Sequence, residues 1–200
     1  MISAFSAYIL AGGFSTRFGS DKARAMLDGK PLLVRMAEQA RAHGASGFFA
    51  VAREAGAYDD LGVKTITDLR AGLGPVAGLE SALLHAGDGW ILLLTCDQLV
   101  CEKAWVGKLR EAQDEKARVF HDGERFQPVP GLYHTSFLPA VFLALNAAQA
   151  GGPRASFQRL LGVPDLLPGV CRVPLPADWP LKLQANTRGD LASAQRADIE

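Results

Sequence analysis

The residues best suited to chemistry lie near the amino terminus, in the run Leu10-Ala11-Gly12-Gly13-Phe14-Ser15-Thr16-Arg17-Phe18-Gly19-Ser20-Asp21-Lys22. The paired glycines let backbone N–H groups approach a ligand with no Cβ in the way. Arg17 can fork onto phosphate oxygens, Lys22 offers a compact positive charge, and Ser15 and Thr16 add hydroxyl donors. A triphosphate needs that density of donors, because its charge is costly to hold away from water without partners. Local charge agrees: residues 1–50 carry Arg17, Lys22, Arg24, Lys30, Arg35 and Arg41 against Asp21, Asp28 and Glu38, in a chain whose 21 basic and 21 acidic residues cancel as a whole. Two familiar phosphate loops are excluded. The Walker pattern needs Gly-Lys followed by Ser or Thr, but Gly19 precedes Ser20, and the Rossmann GxGxxG fingerprint is absent. The competing reading is a glycine turn that ends a strand, with Arg17 and Lys22 merely solvated.

A second candidate follows Trp90 to Cys96, a nearly continuous apolar run of the kind expected for a central strand buried on both faces. Asp97 stands at its carboxyl end, where a carboxylate can hold a divalent cation against phosphate charge. A helix-capping aspartate is the alternative. Further candidates are Asp68, which also suits a turn, and Gly74 to Gly78, where the glycines allow a helix to start close to a bound ligand.

These residues need a scaffold, and the apolar pattern supplies one. Strands are expected at Ala4 to Leu10, Gly47 to Ala52, Val63 to Thr67, and Trp90 to Cys96. Helices are expected from Pro31, with Gly44 at its end, from Pro75, and over Lys103 to Gln113. Arg118 to Phe120 and Gln127 to Tyr133 flank Asp122-Gly123, a hairpin signal that makes one strand antiparallel to its neighbour. Helices over Phe137 to Gln149 and Arg154 to Leu161 follow, then a strand at Val170 to Val173 within a proline-rich surface stretch. Thr187 and Asp190 resemble a capping box for a last helix. The repeated strand–helix alternation, broken by one hairpin, predicts an α/β fold: a mostly parallel sheet with helices on both faces, in a single domain over residues 1–200. Ligands of such sheets gather at the carboxyl ends of the strands, which places Gly12 and Asp97 on one edge.

The glycine-rich run resembles the signature LAGGxSxRxGxDK of the molybdenum cofactor guanylyltransferases (MobA-like proteins), a branch of the nucleotidyltransferases. Related cytidylyltransferases usually carry LAAG or PAAG, so Gly12-Gly13 with Asp21-Lys22 favours the guanylyl branch. The resemblance continues in Asp68 with Gly74-Pro75-Val76-Ala77-Gly78, in Thr95-Cys96-Asp97, in Gln127 to Tyr133, and in Asn186-Thr187. It implies a three-layer α/β/α Rossmann-like nucleotidyltransferase domain that transfers GMP from Mg2+-bound GTP to the terminal phosphate of molybdopterin, with release of pyrophosphate. By the same resemblance, Arg17, Lys22 and Asp97 are catalytic and Asp97 is the metal ligand. Nucleotide contacts would come from Leu10, Ala11, Gly12, Gly13, Ser15, Lys22, Asp68, Gly74 and Asp97, and acceptor contacts from Gln184 and Asn186. The resemblance leaves open whether a partner protein delivers molybdopterin.

The chain departs from the family pattern at Ala52, where an Asn often follows the second strand. At Leu99 the family usually has Pro, and Gln184 stands where it has a shorter Asn. Two other functions are therefore compatible with the sequence: a related nucleotidyltransferase that uses CTP or another phosphorylated acceptor, and a degenerate nucleotide-binding regulatory module. Nucleic-acid binding is disfavoured by the absence of a basic surplus or interleaved aromatics. No apolar run has membrane-span length, and a cytoplasmic protein is expected. Cys96, Cys101 and Cys171 form no CxxC pair and read as small buried hydrophobes.

Overall fold

A computed structural model of the chain describes all residues except 1, 3, 13–19, 113–115, 163–168, 181–182 and 198–200. Its centre is a seven-stranded sheet in the order β5-β4-β1-β6-β8-β7-β9. These strands are β1 (Phe5–Leu10), β4 (Phe48–Ala52), β5 (Thr65–Thr67), β6 (Trp90–Thr95), β7 (Ala117–His121), β8 (Phe126–His134) and β9 (Val170–Pro174). β1 pairs in parallel with both β4 and β6, and β5 continues the parallel half beyond β4. β8 runs antiparallel to β6 and to β7, while β9 returns parallel to β7. The hairpin expected at Asp122-Gly123 thus inserts the one reversed strand.

Alternation along the central strands feeds two cores. Ala7 and Ile9 of β1 and Leu92 and Leu94 of β6 face one side, packing against α1 (Leu32–Ala42) through Leu33, Met36 and Ala40. They also meet Trp105 and Leu109 of α3 (Lys103–Glu111). Tyr8, Ile91 and Leu93 face the other side and meet α2 (Pro75–Ala86) through Val76, Leu79 and Leu83, together with Val141 and Leu145 of α4 (Leu138–Gln149) and Leu160 of α5 (Phe157–Gly162). Each of these large buried side chains contributes roughly 1.5–3 kcal/mol by leaving water. The result is the α/β/α sandwich that the strand–helix alternation predicts.

Several boundaries differ from the sequence reading, each for a local reason. α5 begins at Phe157 rather than Arg154 because Ser156 caps it: the Arg159 N–H donates to Ser156 Oγ at 3.3 Å. β6 stops at Thr95, where the Gln98 N–H turns back to the Thr95 carbonyl. A small hairpin, β2 (Met26–Leu27) and β3 (Lys30–Pro31), precedes α1. Its turn places Asp28 at φ 49° and Gly29 at φ 76°, the left-handed pair that Asp-Gly favours. The Asp-Gly signal that marks the hairpin at Asp122-Gly123 thus operates at Asp28-Gly29 as well. The last helix, α6 (Arg188–Ala197), carries the predicted capping box: the Thr187 N–H donates to Asp190 Oδ2 at 2.8 Å, and the Asp190 N–H to Thr187 Oγ1 at 3.2 Å. No helix of the described residues is long and apolar enough to cross a membrane.

Candidate active site

A cleft of about 390 Å³ opens at the carboxyl ends of β1, β4, β5 and β6. Leu10, Ala11 and Gly12 line it from β1, Val51 and Arg53 from β4, and Asp68 from the turn after β5. Gly74, Pro75 and Gly78 line it from the start of α2, and Thr95, Cys96 and Asp97 from β6. Lys22 and Arg154 complete the rim. Leu10, Ala11, Gly12, Lys22, Asp68, Gly74 and Asp97, distant in sequence, are thus assembled in one place. Gly13, Ser15 and Arg17 lie outside the described residues.

The core of the cleft is an ion pair. Lys22 Nζ donates to Asp97 Oδ2 at 3.1 Å, with only 16% and 17% of the two side chains exposed. Lys22 opens a short 3-10 turn, Lys22–Arg24, capped by Asp21, whose Oδ1 accepts from the Ala23 N–H at 3.0 Å. The Tyr58 hydroxyl, on a largely buried ring, donates to the same Asp21 oxygen at 3.2 Å. Arg24 forks onto both Asp60 oxygens at 2.7 and 2.8 Å, and it also donates to the Ala57 carbonyl at 2.8 Å. The segment carrying Lys22 is therefore anchored to the loop after β4. Tyr58 and Asp60 are not legible in the sequence because nothing in their local pattern points 36 or 37 residues back.

Asp97 is held on all sides by its backbone. The Cys96 N–H donates to the Leu10 carbonyl at 3.0 Å, and the Ala185 N–H donates to the Asp97 carbonyl at 2.8 Å. The Leu99 N–H donates to the Leu183 carbonyl at 2.9 Å, and the Cys101 N–H to Gln39 Oε1 at 2.7 Å. A proline at 99 has no N–H to offer. The departure from the family pattern thus gives this loop a strand-like pairing between residues 97–99 and 183–185.

Asp68 faces the same space. Its N–H donates to the Ala52 carbonyl at 2.6 Å, and its Oδ1 accepts from the Arg70 N–H at 3.1 Å. Burial holds its carboxyl above the usual range, opposed by the Arg70 N–H and by the charge of Arg53. Cys96, buried beneath the cleft, has its thiol pushed well above the ordinary cysteine range by desolvation, and with Cys101 it behaves as the expected small hydrophobe.

The glycines lie where backbones converge. A Cβ on Gly12 would stand 3.3 Å from the Ala52 Cα, and one on Gly78 would stand 2.6 Å from Leu10 Cδ2. Gly74 has φ 89° and faces Arg154, whose Nη2 would lie 3.4 Å from an added Cβ. Arg154 reads from sequence more readily as a solvated helix start. The structure instead turns it toward the cleft, while its neighbour Ser156 caps α5.

A second cavity, of about 510 Å³, holds Gln184 and Asn186, with Gln127, Gln158 and Trp179 among its walls. Gln184 Nε2 donates to Thr95 Oγ1 at 3.5 Å, and Thr95 lines the first cleft. Gln184 therefore stands between the two spaces. Trp179 packs on Trp105 at 4.7 Å between ring centroids, so it is both a packing residue and a wall. His121 and His134 serve local turns, accepting from the Gly123 and Ser136 N–H groups.

Residues 7–163 match the family model described as the MobA-like NTP transferase domain. Among curated relatives, a probable molybdenum cofactor guanylyltransferase of Deinococcus radiodurans is 38% identical over 152 residues, covering 72% of this chain and 75% of the relative. A second, from Opitutus terrae, is 36% identical over 135 residues and covers 66% and 67%. The crystal structure of molybdopterin-guanine dinucleotide biosynthesis protein A from Archaeoglobus fulgidus superposes with a TM-score of 0.76 at 22% identity, covering 98% and 99% of the two chains, and so shares the fold. The conjunction of this fold, this cleft and these relatives assigns the chain to the MobA-like NTP transferase family, as a nucleotidyltransferase.

Proposed function

We propose that the chain is a molybdenum cofactor guanylyltransferase, which joins GMP from GTP to the terminal phosphate of molybdopterin and releases pyrophosphate. The observation that carries this reading is the convergence of Lys22, Asp97, Asp68 and the glycine-lined backbone of β1 and α2 on one cleft. Names of relatives at 36–38% identity support the guanylyl donor and the molybdopterin acceptor.

The residues fit a magnesium ion. Mg2+ prefers oxygen ligands and is usually held by one or two carboxylates plus substrate phosphates rather than by an all-protein cage. Asp97 and Asp68 line the cleft, and among the described residues no group of three or more His, Cys, Asp or Glu forms a cage. Asp97 would be the principal ligand. When bound, the ion offsets triphosphate charge during transfer.

An oxygen of the molybdopterin phosphate attacks the α-phosphorus, the α–β P–O bond breaks, and pyrophosphate carries away the electron pair. The attacking phosphate is already anionic, so no dedicated general base is needed. Lys22 holds the triphosphate and meets the charge that grows on the leaving group, with Arg17 as its proposed companion. Gly12, Gly74 and Gly78 keep backbone close to the nucleotide, Leu10 and Ala11 line the same wall, and Gly13 and Ser15 are proposed as further nucleotide contacts. Gln184 and Asn186 orient the acceptor from the second cavity.

The test follows the α-phosphate. With molybdopterin as acceptor, label from [α-32P]GTP should enter the product one for one with pyrophosphate released. Label entering from the γ-phosphate, or pyrophosphate formed without labelled product, would contradict the reading. One observation favours a second reading, a different base or acceptor. Ala52 is buried and places no polar side chain at a position where the family often has Asn.

A further inference from the structure

Arg70 belongs to no motif and does not line the cleft, yet its side chain joins one helix beside the cleft to another. Its Nε lies 2.9 Å from Glu80 Oε2, in the middle of α2, where Glu80 is only 2% exposed. Its Nη1 donates to Asn146 Oδ1 at 2.7 Å and to Gln149 Oε1 at 2.6 Å, both on α4, and its guanidinium lies 4.9 Å from the Phe142 ring centroid. A buried carboxylate is expensive to maintain, and burial does push the Glu80 carboxyl above its usual range against the pull of Arg70. What the pair fixes is the turn after β5. The Arg70 N–H donates to Asp68 Oδ1 at 3.1 Å, and the Leu69 N–H donates to Ser81 Oγ at 2.9 Å, one residue beyond Glu80. Arg70 thus ties the Asp68 turn to both α2 and α4.

We propose that Arg70, clamped by Glu80, Asn146 and Gln149, is a positioning residue that presents the Asp68 carboxylate to the metal–nucleotide complex. This rests on the reading of Asp68 as part of the nucleotide site. The guanidinium fixes the backbone on which Asp68 turns, and the Arg70 backbone N–H holds one Asp68 oxygen. Asp68 itself lines the cleft. The fork of Arg70 matters more than its charge, because it must reach two helices at once.

The test is a mutant cycle read by calorimetric binding of Mg·GTP, with thermal stability followed in parallel. Arg70→Met together with Glu80→Gln avoids stranding a buried charge. It should weaken Mg·GTP binding about tenfold, as loss of an outer-shell partner commonly does. Asp68→Ala should weaken binding at least as much, and the triple variant should bind no worse than Asp68→Ala alone. Arg70→Lys should fall between wild type and the double variant. Asn146→Ala with Gln149→Ala, which cuts exposed contacts without touching Glu80, should reproduce part of the loss. Multiplicative losses in the triple variant, or wild-type binding when Arg70 and Glu80 are replaced, overturn the proposal while leaving Asp68 in its role. Wild-type binding by Asp68→Ala overturns the role of Asp68 and the proposal with it.

Discussion

Lys22 Nζ and Asp97 Oδ2 stand 3.1 Å apart across the end of β1, bringing together residues 75 positions apart in the chain. In the protein alone, the ammonium occupies the front of the carboxylate that is proposed to hold magnesium. Nucleotide phosphate and metal together can separate the pair by giving each partner a new counter-charge. Lys22→Ala should therefore act in two directions. Turnover should fall by about 10²–10³-fold, as expected when a donor to developing charge is removed. Binding of Mn2+ to the protein without nucleotide, measured by electron paramagnetic resonance, should tighten. Unchanged turnover, or weaker Mn2+ binding, would contradict this pairing.

Gly78 lets α2 run against Leu10, and a Cβ there would meet Leu10 Cδ2 at 2.6 Å. Leu10 is flexible enough to yield, but it lines the cleft. Gly78→Ala should therefore fold, keep nearly its full turnover at saturation, and raise the KM for nucleotide by roughly tenfold, about 1.4 kcal/mol of lost binding. Steady-state kinetics with circular dichroism as the folding control decides this.

Asp68 should show a conflict between stability and function. Burial holds its folded pKa above the ordinary carboxylate value. The folded chain then binds more protons than the unfolded chain in the window between the two pKa values, and stability falls as pH rises through it. Asp68→Asn removes that loss. The variant should melt higher than wild type at pH 7, and the difference should vanish as pH falls below the ordinary aspartate value. Its nucleotide affinity should nevertheless decline. Thermal melts across pH, set beside binding data, check both parts.

Much of this was legible in the sequence, for identifiable reasons. Central strands such as Trp90–Thr95 are unbroken apolar runs, and Pro75 and the Thr187–Asp190 box announce their helices locally. The carboxyl-edge rule then places Gly12 and Asp97 together. The supports were not legible, because they are long-range: Tyr58 on Asp21, the 183–185 segment on the Asp97 loop, and Arg70 on Glu80. The approach of Arg154 to Gly74 is likewise not legible, because the two are 80 positions apart in the chain.

Gln184 links the two cavities through its 3.5 Å contact with Thr95. If it and Asn186 serve the acceptor, Gln184→Ala should raise the KM for molybdopterin by about tenfold, the loss of one hydrogen bond to a charged group. The KM for nucleotide should change little. A change confined to nucleotide would move Gln184 to the donor site.

Transfer of a guanylyl group to molybdopterin in the cleft, as proposed above, is open to a single assay. Pyrophosphate release is followed with each of the four nucleoside triphosphates, with Mg2+, in the presence and absence of molybdopterin. Release with GTP that requires molybdopterin, is strongest among the four, and is lost in Asp97→Ala is the predicted result. Preference for CTP, release indifferent to molybdopterin, or nucleotide binding with no release would contradict it.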